Sequence, residues 1–117
     1  MKMSSYSSRF SAGDIVQVYF PFSEGDSGKP RPVLIVVSPD ANEDFVGLAI
    51  TSAGHHSNSF ALSPQDLATG NLPKASFIRA DKLYTVKTTA ISQEFGKVKP
   101  TVLDKARKQM CAAMGCR

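Results

Sequence analysis

Apolar residues in this chain gather into short runs of five to eight, most of them closed off by glycine, proline, asparagine or aspartate. Such runs predict strands rather than helices. Ile15 to Phe22, IVQVYFPF, follows the Gly13-Asp14 turn and is rich in β-branched and aromatic residues, with Pro21 expected to end it or place it on an edge. Val33 to Val37 is unbroken apolar sequence of strand length, as expected for a strand buried on both faces. Pro39-Asp40-Ala41-Asn42 predicts a turn, and Phe45 to Thr51 a third strand with Gly47 as a candidate bulge. Asn58 to Leu62 and Ser76 to Ala80 predict two more, and Thr89 to Val98 fits either a sixth strand or a short helix. Between the first two strands, Ser23 to Gly28 is a polar loop with two glycines, expected to be a mobile hairpin tip.

The period changes near the C-terminus. Val102, Leu103, Ala106, Met110, Ala113 and Met114 recur at helical spacing, predicting a helix over about 101–114. Pro100 precedes it, Thr101 and Asp104 have the spacing of a capping box, and Gly115 sits where a helix-ending glycine belongs. Several short strands at roughly ten-residue intervals and one terminal helix predict a mainly β fold, a small curved barrel or sandwich. A parallel α/β fold would need helices between the strands, and none is visible. Residues 1–8 are expected to be a loose tail, leaving 9–117 as one domain.

Composition changes the picture only at a few points. A chain of 117 residues, 42% hydrophobic and 21% charged, has the make-up of a single globular domain. No apolar run approaches the ~18 residues of a membrane span, and the polar, Ser-rich N-terminus has no hydrophobic segment of the secretory kind. Cys111 and Cys116, both in the last seven residues, would point in different directions if five positions apart on a helix, which predicts two free thiols in a cytoplasmic protein. No Cys/His spacing suits a metal and no glycine pattern suits a nucleotide phosphate, so neither metal nor cofactor is expected. The net charge of +4 is uneven: residues 1–73 carry −3 and residues 74–117 carry +7. A basic half points to an anionic partner, nucleic acid first, although a solvated helix face explains it as well.

Three short stretches could carry chemistry. In Lys29-Pro30-Arg31-Pro32, both charged residues precede a proline and are pushed toward extended conformations. With neither proline able to donate an N–H, ladder pairing is expected to begin near Val33. Arg31 then sits on a stiff approach to a buried strand, suited to holding phosphate oxygens in a fixed pose; a surface arginine beside two loop prolines is the plain alternative. Thr51 and Ser52 end the third strand with two hydroxyls that either bind a phosphate or satisfy backbone groups. Arg79 and Asp81, two apart in an extended chain, share a face, as a surface ion pair or as a proton acceptor beside a phosphate-binding cation. His55 and His56 lie in a loop of small polar residues and are read as solvent-exposed, without a catalytic role.

Taken in order, GDIVQVYFPF, KPRPVLIVVS, AITS, LPKASFIRADKLYTV, FGKV and a terminal helix resemble the MazF/PemK family of toxin endoribonucleases. The similarity runs from Gly13 to Gly115, and the ordered set is more specific than any one motif. The resemblance implies a small SH3-like β-barrel with a C-terminal helix, usually a homodimer, which cleaves RNA without a metal and is held inactive by a cognate antitoxin. It implies that Arg31 binds phosphate, that Thr51 donates a hydrogen bond at the scissile group, and that Arg79 and Asp81 are the R-x-D pair of the PemK-like branch. Lys29, Ser52 and Lys82, beside these four, are expected to contact RNA.

RNA brings its own nucleophile, the 2′-OH, so such an enzyme needs a base, cations for the developing phosphorane and an acid for the 5′-oxygen. Asp81 is the expected base, Arg31 and Arg79 the charge stabilisers and Thr51 the orienting donor. Either arginine is also a candidate to relay the leaving-group proton, the weakest part of the assignment, because a guanidinium pKa above ~12 makes arginine a poor acid unless strongly perturbed. Single-stranded RNA is the favoured substrate, its unstacked bases being open to readout. Two alternatives stay open: a non-catalytic toxin of the same fold that inhibits a DNA topoisomerase such as gyrase, and a plain RNA- or protein-binding barrel.

Overall fold

The computed structural model describes residues 9–19, 30–52, 54, 57–72 and 74–116. Within them run strands β1 (Asp14–Tyr19), β2 (Pro30–Val37), β3 (Asp44–Thr51), β4 (Ser59–Leu62), β5 (Leu67–Gly70), β6 (Ser76–Lys87) and β7 (Ile91–Val98), then helix α1 (Pro100–Ala113). Short 3-10 turns at Pro64–Asp66 and Thr88–Ala90 link β4 to β5 and β6 to β7. Every pairing is antiparallel, in the order β4-β6-β3-β2-β1-β7-β5. Leu62 of β4 and Leu67 of β5, from the two outermost strands, join one apolar cluster, so the sheet curls into a half-barrel.

The sheet is buried on both sides, which explains the apolar run of β2. Leu34 and Val36 join Ile15, Leu48, Ile50 and Ile78 in a cluster covered by Val102 and Ala106 of α1. Val33 and Ile35, offset by one residue, join Val16, Val18, Phe45 and Val86 on the opposite face. All four β2 residues have no exposed surface, and each such side chain stabilises the fold by roughly 1.5–3 kcal/mol. The helix is also tied down by polar contacts. Arg107 donates from Nε (3.0 Å) and Nη2 (2.7 Å) to the Val36 carbonyl, and Lys105 Nζ lies 4.6 Å from the centre of the Phe60 ring.

Several elements differ from their predicted form. β2 begins at Pro30, not Val33, and Arg31 already pairs with Val18 of β1. Residues two apart turn their backbone groups toward the same neighbour, so both prolines withdraw donors from one side while Arg31 keeps the ladder on the other. The bulge near Gly47 belongs to β2: Ile35 pairs with Gly47 and Val37 with Val46, leaving Val36 as the extra residue. The Ser76–Ala80 strand runs on to Lys87, and the four-residue β5, with little apolar pattern of its own, went unpredicted. Thr101 is not a cap: Pro100 takes the first helical position, Lys99 is the N-cap, and no side chain bonds there.

The cysteine reading is also corrected, since Cys111 and Cys116 are joined as a disulfide. The helix ends at Ala113, Gly115 turns the chain back at φ +85, and the Cys116 N–H reaches the Cys111 carbonyl at 2.9 Å. Their Cα atoms are thereby 5.2 Å apart, whereas a continued helix would have kept the side chains diverging.

Candidate active site

The predicted residues collect on the sheet face opposite α1. Arg31 pairs with Val18, a member of the far-face cluster, and Thr51 pairs with Phe77 of β6. The β2–β3 register at Val33↔Ala49, carried two residues toward the strand ends, sets Arg31 level with Thr51. Arg79 lies one step further along the same face, paired with Ser59 of the edge strand β4. Arg31 is exposed and Thr51 half-buried, so the row opens to solvent at one end of a rigid, doubly covered sheet. Ser52 is exposed just past the end of β3, and Lys82 is exposed beside Asp81. Lys29, His55, His56 and the Ser23–Gly28 loop lie outside the described residues.

Arg79 and Asp81 are in direct contact. Nε donates to Oδ1 at 3.1 Å and Nη2 to Oδ2 at 2.9 Å, a bidentate pair whose side chains retain only 21% and 30% exposure. The residue between them, Ala80, is fully buried, which turns both neighbours outward on the same side. The Asp81 carboxylate holds the Arg79 guanidinium above its ordinary value, chiefly through this hydrogen bond. Burial opposes that effect, and the nearby Tyr84 phenol adds a smaller electrostatic push in the same direction. Arg79 is thus a fixed cation, its fork engaging both Asp81 oxygens.

The backbone makes room for this pair through an irregularity. Ile50 pairs with Ile78 but Leu48 with Leu83, so five steps along β6 match two along β3. The looped-out stretch holds Arg79, Ala80, Asp81 and Lys82, an arrangement that re-aims side chains at the expense of ladder regularity. It also changes the parity of the strand: Phe77 and Arg79 share their face with Tyr84 and Val86, not with Leu83.

Two aromatic residues thus flank the ion pair, and neither stood out in the sequence. Tyr84 is half-buried against the far-face cluster and pairs with Gly47, which has no side chain to cover it. Phe77 is half-buried, with its ring end over Gly54, where a Cβ would come within 2.5 Å of Cζ. Strict alternation from Arg79 puts Tyr84 on the wrong face, so only the irregular register reveals it.

Other parts of the molecule carry less chemistry. Among the described residues, no three His, Cys, Asp or Glu side chains cluster as metal ligands, and no helix is long and apolar enough to cross a membrane. A cavity of about 280 Å³ opens on the helix-covered side between Leu62, Pro64, Leu67 and Leu72, with Lys74 the one charged side chain among the described residues of its lining.

Comparison with known proteins accords with this arrangement. Residues 11–114 match the model of the PemK-like, MazF-like toxins of type II toxin–antitoxin systems. A search among curated protein sequences finds no match. Among solved structures, an endoribonuclease in complex with its cognate antitoxin from a mycobacterial species superposes with a TM-score of 0.68 at 21% identity, covering 92% of this chain and 97% of that one. The MazE–MazF complex of Deinococcus radiodurans superposes equally well (TM-score 0.68, 17% identity, 92% and 97% covered). The Mycobacterium tuberculosis toxin MazF-mt6 gives 0.65 at 16% identity, with 89% and 98% covered. At these identities the superpositions establish the fold, while the family match spans nearly the whole chain, and the chain belongs to the PemK-like, MazF-like toxin family.

Proposed function

We propose that this protein is a toxin endoribonuclease that cleaves single-stranded RNA by 2′-OH transesterification, with Arg31, Thr51, Arg79 and Asp81 as its catalytic set. The observation that carries the reading is the Arg79–Asp81 fork on the same sheet face as Arg31 and Thr51. A carboxylate beside a fixed guanidinium joins a proton acceptor to a cation at the point where the 2′-OH must be deprotonated and the phosphorane charged. Asp81 takes the 2′ proton, Arg79 and Arg31 hold the non-bridging oxygens, and the Thr51 hydroxyl orients one of them. Ser52 and Lys82, exposed beside this set, extend the contact along the RNA backbone, and Lys29 is assigned the same duty.

The charges come from side chains, so the reaction as proposed requires no metal. It acts in the cytoplasm on mRNA, by a homodimer, and a cognate antitoxin restrains it. Relatives of the same fold are complexes with their antitoxins, and the net +7 of residues 74–117 suits an acidic partner segment.

The experiment is incubation of the purified protein with single-stranded RNA in EDTA, with end-group analysis of the fragments. The expected products carry a 2′,3′-cyclic phosphate and a 5′-hydroxyl. Cleavage that stops on chelation, or that survives Arg31→Ala undiminished, refutes the mechanism. RNA binding without fragments favours a binding barrel instead.

A further inference from the structure

We propose that Tyr84 is the proton donor to the leaving 5′-oxygen, placed by the irregular register of β6 on the same face as Arg31, Thr51 and the Arg79–Asp81 pair. The assignment rests on the nuclease reading and fills the one role that its four residues leave open. Transesterification forms the 2′-O–P bond and breaks the P–O5′ bond, so one proton must leave the 2′-OH and another must reach O5′. The arginines are unsuited to supply it. Guanidinium groups titrate above ~12 while phenols titrate near ~10, and the Asp81 fork raises Arg79 further.

Two observations bring Tyr84 to the reaction. Its face is fixed by its pairing with Gly47 and by its packing against the cluster of Val33, Ile35 and Val86, the side that carries Phe77 and Arg79. Arg79 senses the phenol electrostatically, which places the hydroxyl in the field of the same cation that faces the phosphorane. The half-buried ring is held by its packing against the far-face cluster.

The step balances. Asp81 gains the 2′ proton as the 2′-oxygen attacks, Tyr84 gives its phenolic proton to O5′ as the P–O5′ bond breaks, and Arg79 stabilises the tyrosinate formed. Solvent then carries the proton from Asp81 back to Tyr84, leaving a cyclic phosphate, a 5′-hydroxyl and the starting protein.

The test pairs Tyr84→Phe with a substrate in which the bridging 5′-oxygen is replaced by sulfur, a leaving group that departs without protonation. Phenylalanine keeps the ring, so the variant is expected to show unchanged circular dichroism and Tm, and unchanged affinity for a 2′-deoxy analogue that cannot react. On ordinary RNA it should lose at least about a hundredfold in rate, a typical general-acid contribution. On the 5′-sulfur substrate it should cleave at close to the wild-type rate. Equal loss on both substrates, or none on ordinary RNA, overturns the assignment while leaving the nuclease reading intact. Wild-type protein that leaves RNA whole overturns both.

Discussion

Arg79 and Asp81 meet fork to fork, at 3.1 and 2.9 Å, across one fully buried alanine in the irregular part of β6. The contact makes the pair a unit: the carboxylate is oriented by the guanidinium that it keeps charged. Asp81→Asn keeps the shape but removes the proton acceptor, and should slow RNA cleavage by about a hundredfold or more. Arg79→Lys keeps a cation but loses the bidentate geometry, and should fall almost as far, because an ammonium cannot hold both oxygens. Single-turnover rates at saturating protein distinguish the losses from weakened binding, and a double variant no worse than either single one would confirm that they act as a unit.

Arg31 should separate function from stability. It is exposed on β2, beyond the buried run Val33–Val36, so Arg31→Ala removes little packing. Unfolding by urea should shift by no more than about 0.5 kcal/mol. Cleavage should drop by about a hundred- to a thousandfold, as when one preorganised donor to a developing oxyanion is lost. A variant that is both inactive and strongly destabilised would instead make Arg31 a structural residue of the strand.

How far this arrangement could be read from the chain depended on whether each element obeyed a local rule. The β2 run was legible because burial on both faces leaves a continuous apolar signature, and the Arg79–Asp81 face because alternation holds over three residues. Tyr84 was not legible: the looped-out residues of β6 shift the parity, and no local pattern announces them. β5, four residues long and mostly exposed, is extended because β7 pairs with it, a non-local cause. The Cys111–Cys116 pairing hid behind an assumption of continued helix, which Gly115 breaks.

Arg107 predicts a purely structural defect. The extra residue of β2, Val36, turns its carbonyl to the Arg107 guanidinium and accepts hydrogen bonds from its Nε and Nη2. Arg107→Ala leaves that carbonyl without its charged donor and loosens α1 from the sheet, a loss of about 1–3 kcal/mol. Urea denaturation should show the lower midpoint, and the folded fraction should cleave RNA at the wild-type rate, since Arg107 lies on the helix side. A fall in the single-turnover rate of fully folded Arg107→Ala would mean that the helix positions the catalytic face.

Asp40 contributes to stability on the acid side. Its Oδ1 accepts the N–H groups of Asn42 and Asp44, both at 2.9 Å, in the turn between β2 and β3. The Asp44 N–H is the largest cause holding its pKa below the usual carboxylate value; burial opposes it, while the Asn42 N–H and the Lys87 charge add to the lowering. A group whose folded value lies below the unfolded one contributes stability that is complete above the unfolded pKa, near ~3.9, and is lost as pH falls through the folded value. Asp40→Asn retains an oxygen acceptor but does not titrate in this range. The urea midpoint of the wild type should therefore exceed that of Asp40→Asn at about pH 6, and the difference should shrink by about pH 3. A difference that stays constant across that range would show that the charge on Asp40 does not strengthen the turn.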